Sequence, residues 1–357
     1  MSKEEGFIFD SDVPNDSIDI HSNPKLTVRK LDPKRDAELR LEFEGQSVDN
    51  SIVNAIRRTV MMNIPIYAFH RSNITIDVKR SRHMYNNDLI YNQIETLPIY
   101  DIPNYFDLEN PETFLPSEVL RNLFGTFLPE DSTEEQPEPD KRLFKIELSI
   151  DTKNITDRAK YVSTHDAVLK INGKTSNNYL NHEPVCILVL KPGEEISLRA
   201  EANLGINKMN AIYDATTNAI LDEISYTKFH LWYETLGQLD KNIIFTKACI
   251  ILTKKLENLS QFLEKNYEER RVEEKIEIDL HGEDHTLGNL LATVLQKSKY
   301  VSKAGYLMKH PFGDIMTIRY LLKSDSKLGP IRVLIDSCQY LVKVFQLINN
   351  QFLKNRE

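Results

Sequence analysis

The sequence predicts an α+β fold, built as a pseudo-dimer within one chain and carrying a β-rich domain inserted in its first half. Three observations predict it. Strand-like alternation recurs near both ends, as Leu39, Leu41, Phe43 and again as Ile276, Ile278, Leu280. Two long segments each carry a one-sided apolar stripe at helical spacing. The order of elements around these features is the same in both parts of the chain.

Taken in order, residues 1–24 hold six acids against one base, with scattered Ser, Asn and Pro, and predict a flexible acidic tail. The strand at 39–43 ends at Gly45. Asp49 or Ser51 then caps a helix whose apolar face is Ile52, Val53, Ile56 and Val60, and Pro65 stops it. From 66 to 222 the texture is β-rich and longer-looped, with alternation at Ile74–Val78, Phe144–Ile150 and Ile196–Ala200. Pro192-Gly193 suits a type II turn. The stretch 129–140 has six acids and no base, and reads as a solvated loop. A strand at Phe229–Tyr233 and a turn at Gly237 lead into a helix over about 241–266. A charged hinge over 267–275 follows. The remainder begins again with a strand, a glycine and a capped helix, then two strands, and Gly329-Pro330 launches a final helix.

Leu41-Glu-Phe-Glu-Gly45 before Ser51-Ile-Val-Asn-Ala-Ile56 is echoed by Ile278-Asp-Leu-His-Gly282 before Thr286-Leu-Gly-Asn-Leu-Leu291. Each block is strand, glycine, polar loop, hydroxyl cap and apolar pairs around Asn. The closing helices rhyme too, Gln261-Phe-Leu263 against Gln351-Phe-Leu353. Such units bury their stripes against each other. The expected inter-half packing residues are Ile244, Ala248, Ile251, Leu252, Leu259 and Leu263 on one helix, and Ile335, Cys338, Leu341, Val342 and Phe345 on the other. The resulting division is a tail at 1–24, a first half at 25–65 with 223–270, an insertion at 66–222, and a second half at 271–357.

Composition excludes several function classes. The net charge is −8, but the two acidic segments hold −5 and −6, so the remainder carries +3. No basic stripe of the kind that binds nucleic acid non-specifically is present, and no direct sequence-specific nucleic-acid contact is expected. No apolar run approaches the roughly 20 residues that span a bilayer, and Met1-Ser-Lys-Glu-Glu is no signal peptide. Cys186, Cys249 and Cys338 are too widely spaced for a disulfide framework or a cysteine zinc site, which predicts an intracellular protein.

A search for catalytic chemistry returns negatives. Phosphate-loop, dinucleotide, nucleophile-elbow and zinc-protease motifs are missing, as is an aspartate cluster for two-metal phosphoryl transfer. His281, Glu283, Asp284 and His285 form the best enzyme-like cluster and could surround a metal. They could equally be a helix N-terminus, with the carboxylates facing the macrodipole and Thr286 capping. His165-Asp166 is weaker. Arg57-Arg58 lies on the polar side of the first helix, either as solvated arginines or as a fork for an acidic partner. Lys79-Arg-Ser-Arg-His83 is a short basic patch. Trp232 fits a core or interface position, and Gly205 with Asn207 suits a shaped loop.

Ser51-Ile-Val-Asn-Ala-Ile-Arg-Arg-Thr-Val-Met-Met-Asn-Ile-Pro65 resembles the first-helix signature of the α-like assembly subunits of multisubunit DNA-directed RNA polymerases: bacterial alpha, its archaeal counterpart and the third-largest eukaryotic subunit. Glu283-Asp-His-Thr-Leu-Gly-Asn-Leu-Leu291, with Gly305-Tyr and His310-Pro, closely resembles their small partner, the eleventh eukaryotic subunit or its archaeal counterpart. Leu198–Lys208 and the 241–266 helix extend the first match. Both partners in one polypeptide is similar to the polymerases of large cytoplasmic DNA viruses, the African swine fever virus type above all.

The resemblance implies a pseudo-twofold α-like heterodimer within one chain, acting as a non-catalytic platform on which the two large subunits meet. The implied subunit-interface residues are Asn54, Arg57, Arg58, Thr286, Leu287 and Asn289. The first helix would dock the second-largest subunit, and the 272–357 half would lean toward the largest. Small polymerase subunits are further implied partners, with no membrane contact and no homo-oligomer. Some relatives bind zinc or an iron–sulfur centre in the inserted domain. Only Cys186 lies there in this chain, so neither catalytic residues nor a metal or cofactor is expected. The implied location is the cytoplasm of an infected host cell and the virion.

Overall fold

The computed structural model describes residues 17–102, 115–125, 144–267, 275–310, 315–324, 326 and 328–354. The expected acidic loop at 129–140 and most of the hinge lie outside them. The chain opens with β1 (Thr27–Leu31), β2 (Glu38–Glu44) and α1 (Asn50–Met62). Next come β3 (Ile66–Ile76), α2 (Asn87–Glu95), α3 (Ser117–Phe124), β4 (Ile146–Lys153), β5 (Lys160–Ser163) and β6 (Ala167–Ile171). β7 (Lys174–Ser176), β8 (Cys186–Leu190) and β9 (Glu195–Gly205) complete the middle region. β10 (Thr216–Ser225), β11 (Lys228–Thr235) and α4 (Lys241–Asn266) lead to β12 (Lys275–His281), α5 (His285–Lys297), β13 (Val301–Met308), β14 (Ile315–Leu322) and α6 (Pro330–Lys354).

Two sheets back the helices. The first is antiparallel, in the order β1-β2-β11-β10, and the second runs β12-β14-β13. In the first, Phe43, Leu41 and Leu39 stand opposite Phe229, Leu231 and Tyr233, and all six are buried. Alternation along the strand sends these to one face and the charged residues between them to the other. The middle region forms a separate five-stranded sheet, β3-β9-β4-β6-β7, with β5 and β8 paired beside it.

The stripes of α4 and α6 face each other in one continuous core that includes both halves. Phe245 near the start of α4 packs on Phe352 near the end of α6, with ring centroids 4.4 Å apart, so the helices run antiparallel. Tyr340 on α6 donates a 3.0 Å hydrogen bond to Ser47 of the first half. Gln351 does more: its Oε1 accepts from Val28 N–H and its Nε2 donates to Leu26 C=O, both at 2.8 Å. These are the backbone groups on the open side of β1.

Three expectations need correction. The tail does not extend to 24. Ile18 N–H donates to Lys297 C=O at 2.7 Å and Ile20 is buried, because two alternating isoleucines find the end of α5 although the surrounding composition is polar. A boundary at 222 would cut β10, which pairs along its length with β11 and belongs to the first sheet. The middle region is β-rich as expected and also holds α2 and α3. Finally, the hydroxyls of the repeat are not the caps. Asp49 accepts from Ile52 N–H at 3.1 Å and Asp284 from Thr286 N–H at 2.7 Å, placing an aspartate at each N-cap.

Candidate subunit interface and inter-half junction

α1 buries Ile52, Val53, Ile56 and Val60 and turns Asn54, Arg57 and Arg58 to its other side, where all three are half-buried. Arg57 donates from Nε to Asn54 Oδ1 at 2.9 Å and from Nη1 to Ala219 C=O at 3.3 Å. Burial, with the Arg58 charge beside it, lowers its pKa from the ordinary arginine value. Arg58 reaches across the halves, donating from Nε to Thr286 Oγ1 at 2.7 Å and from Nη2 to Asp284 Oδ2 at 3.4 Å. It is therefore not a solvated arginine. It joins the helix of one half to the cap of the equivalent helix in the other.

Asp284 closes this contact. Burial by itself would raise its carboxyl, but the Thr286 hydroxyl and N–H, with the Lys255 and Arg58 charges, hold it below the usual carboxylate range. Its neighbour Glu283 turns inward, and both of its oxygens accept from Lys255 Nζ of α4 at 2.9 Å. The Glu283 side chain is 2% exposed and that of Lys255 13%. Burial pushes the Glu283 carboxyl up, against the pull of the Lys255 and Lys208 ammonium groups. Lys208, in the loop after β9, donates to Asn122 C=O and to Gly282 C=O, each at 3.4 Å. The end of α3 completes the enclosure. Gly125 has φ +57°, and a Cβ there would lie 3.3 Å from His281 C=O and 3.5 Å from Glu283 Oε1. Glycine supplies both the left-handed backbone and the close approach. The insertion, the first half and the second half thus meet around one buried carboxylate.

The side chains of residues 283–285 take separate partners. Glu283 points to Lys255, Asp284 to the α5 backbone, and His285 Nδ1 lies 3.2 Å from the Tyr306 hydroxyl. These three side chains do not converge, and among the described residues no group of three or more His, Cys, Asp or Glu could hold a metal ion. Cys249 and Cys338 are buried among apolar side chains, which pushes their thiols up, Cys338 to about 12. Among the described residues no helix is long and apolar enough to cross a membrane.

The remaining expected site residues divide. Thr286 meets Arg58, and Asn289 is half-buried on α5. Leu287 is buried in the core and so offers no side chain to another subunit, a correction that follows from its place on the inner face of α5. Gly288 lies beside it, where a Cβ would come 2.5 Å from the Tyr306 ring; the glycine makes room for that ring against the helix. Of the packing residues, Ile244, Ala248, Ile251, Leu252, Leu259, Leu263, Ile335, Cys338, Leu341 and Phe345 are buried, while Val342 is partly buried. Sequence reasoning missed Phe245, whose signal was its place beside Ile244. It also missed Lys255, Lys208 and Gly125, for which local sequence offers no signal.

Two segments, residues 42–256 and 275–351, each match the RNA polymerase Rpb3/Rpb11 dimerisation domain. A protein of Acanthamoeba polyphaga mimivirus, named as a DNA-directed RNA polymerase subunit, is 52% identical over 338 residues, covering 93% of this chain and 95% of its own length. The Rpo11 subunit of Thermococcus kodakarensis is 37% identical over 70 residues, covering 20% of this chain and 74% of the relative. That of Metallosphaera sedula is 42% identical over 62 residues, covering 17% and 67%. The repeat seen first as two short echoes is therefore two copies of one domain type. The chain belongs to the Rpb3/Rpb11 family of DNA-directed RNA polymerase subunits, non-catalytic components of a complex to which nucleotidyl transfer belongs.

Proposed function

We propose that this chain is the assembly platform of a viral multisubunit RNA polymerase, docking the largest and second-largest subunits for transcription of viral genes. The observation that carries this reading is the single core shared by the two halves. A pair that elsewhere forms by association is here closed within one chain, and the polar side of α1 stays at the surface. Asn54 and Arg57 on that side would dock the second-largest subunit, with Thr286 and Asn289 leaning toward the largest. Small polymerase subunits complete the partners. The chain works as a single copy, without a cofactor, in the cytoplasm of the infected cell and in the virion.

Co-expression of the tagged chain with both large subunits tests this. The Asn54→Ala/Arg57→Ala variant is expected to lose the second-largest subunit while keeping a cooperative melt. Wild-type recovery of both large subunits by that variant would refute the assignment of α1. Failure of the unmodified chain to retain either one would refute the platform.

A further inference from the structure

α1 and α5 are the corresponding helices of the two domain copies, and they pack directly on each other across the seam. Each opens on the same short pattern, Asp49-Asn-Ser51 and Asp284-His-Thr286, and each aspartate has two tasks. One oxygen caps its own helix. Asp49 Oδ1 accepts from Ile52 N–H at 3.1 Å and from the Ser51 hydroxyl at 2.6 Å, and Asp284 Oδ1 accepts from Thr286 N–H at 2.7 Å. The other oxygen faces the opposite half. Asp49 Oδ2 accepts from Lys297 Nζ at 2.8 Å, at the end of α5. Asp284 Oδ2 accepts from Arg58 Nη2 at 3.4 Å, in the later turns of α1. The start of each helix therefore meets the later part of the other, so the two run antiparallel, with a charged clamp towards each end of their contact.

The clamps share a pattern without sharing residues. Aligning Ser51 with Thr286 sets Arg58 against Thr293 and Lys297 against Met62, so each cation is peculiar to its own copy. All four side chains are shielded in part: Lys297 and Asp49 are 19% and 13% exposed, Arg58 and Asp284 30% and 35%. Pairs held in this way are screened by salt less than fully exposed ones. The apolar seam beneath them is non-directional and tolerates a small slide of one helix along the other. Charged hydrogen bonds towards both ends resist such a slide, because their strength depends on geometry.

We propose that the two clamps set the register of α1 against α5, so that the docking faces on these helices meet both large subunits in the correct relative pose. Asn54 and Arg57 stand on one helix and Thr286 and Asn289 on the other, so this register fixes the distance and angle between the faces. Arg58 Nε also donates to Thr286 Oγ1 at 2.7 Å, which ties one clamp directly to a docking residue. Lys297 and Arg58 are thus positioning residues, acting through Asp49 and Asp284. A large subunit bound alone needs only its own face. Two bound together need both, and joint engagement is lost when the geometry forbids it. The inference rests on the platform reading of those faces.

The test co-expresses the tagged full chain with each large subunit alone and with both, and compares recoveries. Lys297→Met removes one cation and leaves both caps in place. It should hold each subunit alone to within about twofold of the parent, while recovery of the complex with both falls at least about threefold. Lys297→Arg keeps a cation there and should return the joint complex to within about twofold of the parent. Arg58→Met/Lys297→Met removes both clamps and should lower the joint complex at least about tenfold. If Lys297→Met melts without cooperativity, Asp49→Asn, which keeps an N-cap, replaces it with the same expectation. Undiminished joint recovery in the double variant, single and joint recoveries that fall together in the single variant, or no rescue by Lys297→Arg would overturn the proposal. A parent chain that retains neither subunit alone would overturn the platform reading itself, and this inference with it.

Discussion

Lys255→Met is the most informative single change in the junction, because it leaves the Glu283 carboxylate buried without its partner. Removing one member of a buried pair typically costs about 3–5 kcal/mol. The Lys208 ammonium remains nearby, so about 3 kcal/mol is expected. At roughly 2.1 cal/mol/K per residue, a chain of 357 residues has an unfolding entropy near 0.75 kcal/mol/K, and the melting temperature should fall by about 4 °C. Glu283→Leu should cost less, about 2 kcal/mol, because Lys255 sits nearer to solvent. The double variant replaces the pair with apolar groups and should lie within about 1 kcal/mol of the parent, giving a coupling of about 4–6 kcal/mol. The pH dependence is a second signature. Burial raises the Glu283 pKa, and loss of Lys255 raises it further, so the folded variant holds a proton that the unfolded chain releases above about pH 4.3. Stability of Lys255→Met should therefore fall as pH rises from about 5 to 8, more steeply than in the parent. Urea denaturation across that range measures both effects. Single costs that simply add in the double variant, or a pH profile that parallels the parent, would refute the coupled pair.

Other outcomes follow from the same geometry. Arg58→Ala should lower stability by about 1–2 kcal/mol, read as roughly a 2 °C fall in melting temperature, because it breaks one hydrogen bond and one charge-assisted contact between the halves; a solvated arginine would shift it by no more than about 0.5 kcal/mol. Leu259→Asp or Leu341→Asp, each placing a carboxylate at a fully buried position, should abolish the cooperative melt seen by circular dichroism. Asp284→Asn keeps an N-cap but no titrating group. The parent's contribution from this carboxylate is complete above about pH 3.9 and lost as pH falls through its lower folded value, so the variant should lose less stability than the parent between about pH 4 and 2. Denaturant midpoints measured over that interval check the sign.

The long helices and paired strands were legible because their burial follows a period. Leu41 and Phe43 alternate, and the α4 and α6 stripes return every three or four residues, so a one-dimensional pattern records the three-dimensional face. The echo around Gly45 and Gly282 was legible for the same reason, as order rather than composition. What averaging over a segment concealed was different. Ile18 and Ile20 are two apolar residues in an acidic stretch, and α2 shows itself only through Asn86, Ile90 and Ile94 within a region dominated by strands. The strand at Thr216–Ser225 is largely exposed, so it has little buried alternation to display. The junction was beyond reach. Glu283 and Lys255 are 28 residues apart and Arg58 lies 226 from Asp284, and no local pattern announces which distant charge will meet which.

Gln351 bears on how the open edge of the first sheet is protected. β1 is an edge strand, and an edge offers unpaired N–H and C=O groups to any other strand that approaches. The Gln351 amide occupies the groups of Leu26 and Val28 as a neighbouring parallel strand would, with one donor and one acceptor spaced two residues apart. The second half thereby blocks strand addition to the first. A chain caught before α6 has docked would expose that edge, so slow closure of the halves carries an aggregation hazard that completed folding removes. The order of synthesis sharpens this, because β1 is made long before α6 and must wait for it.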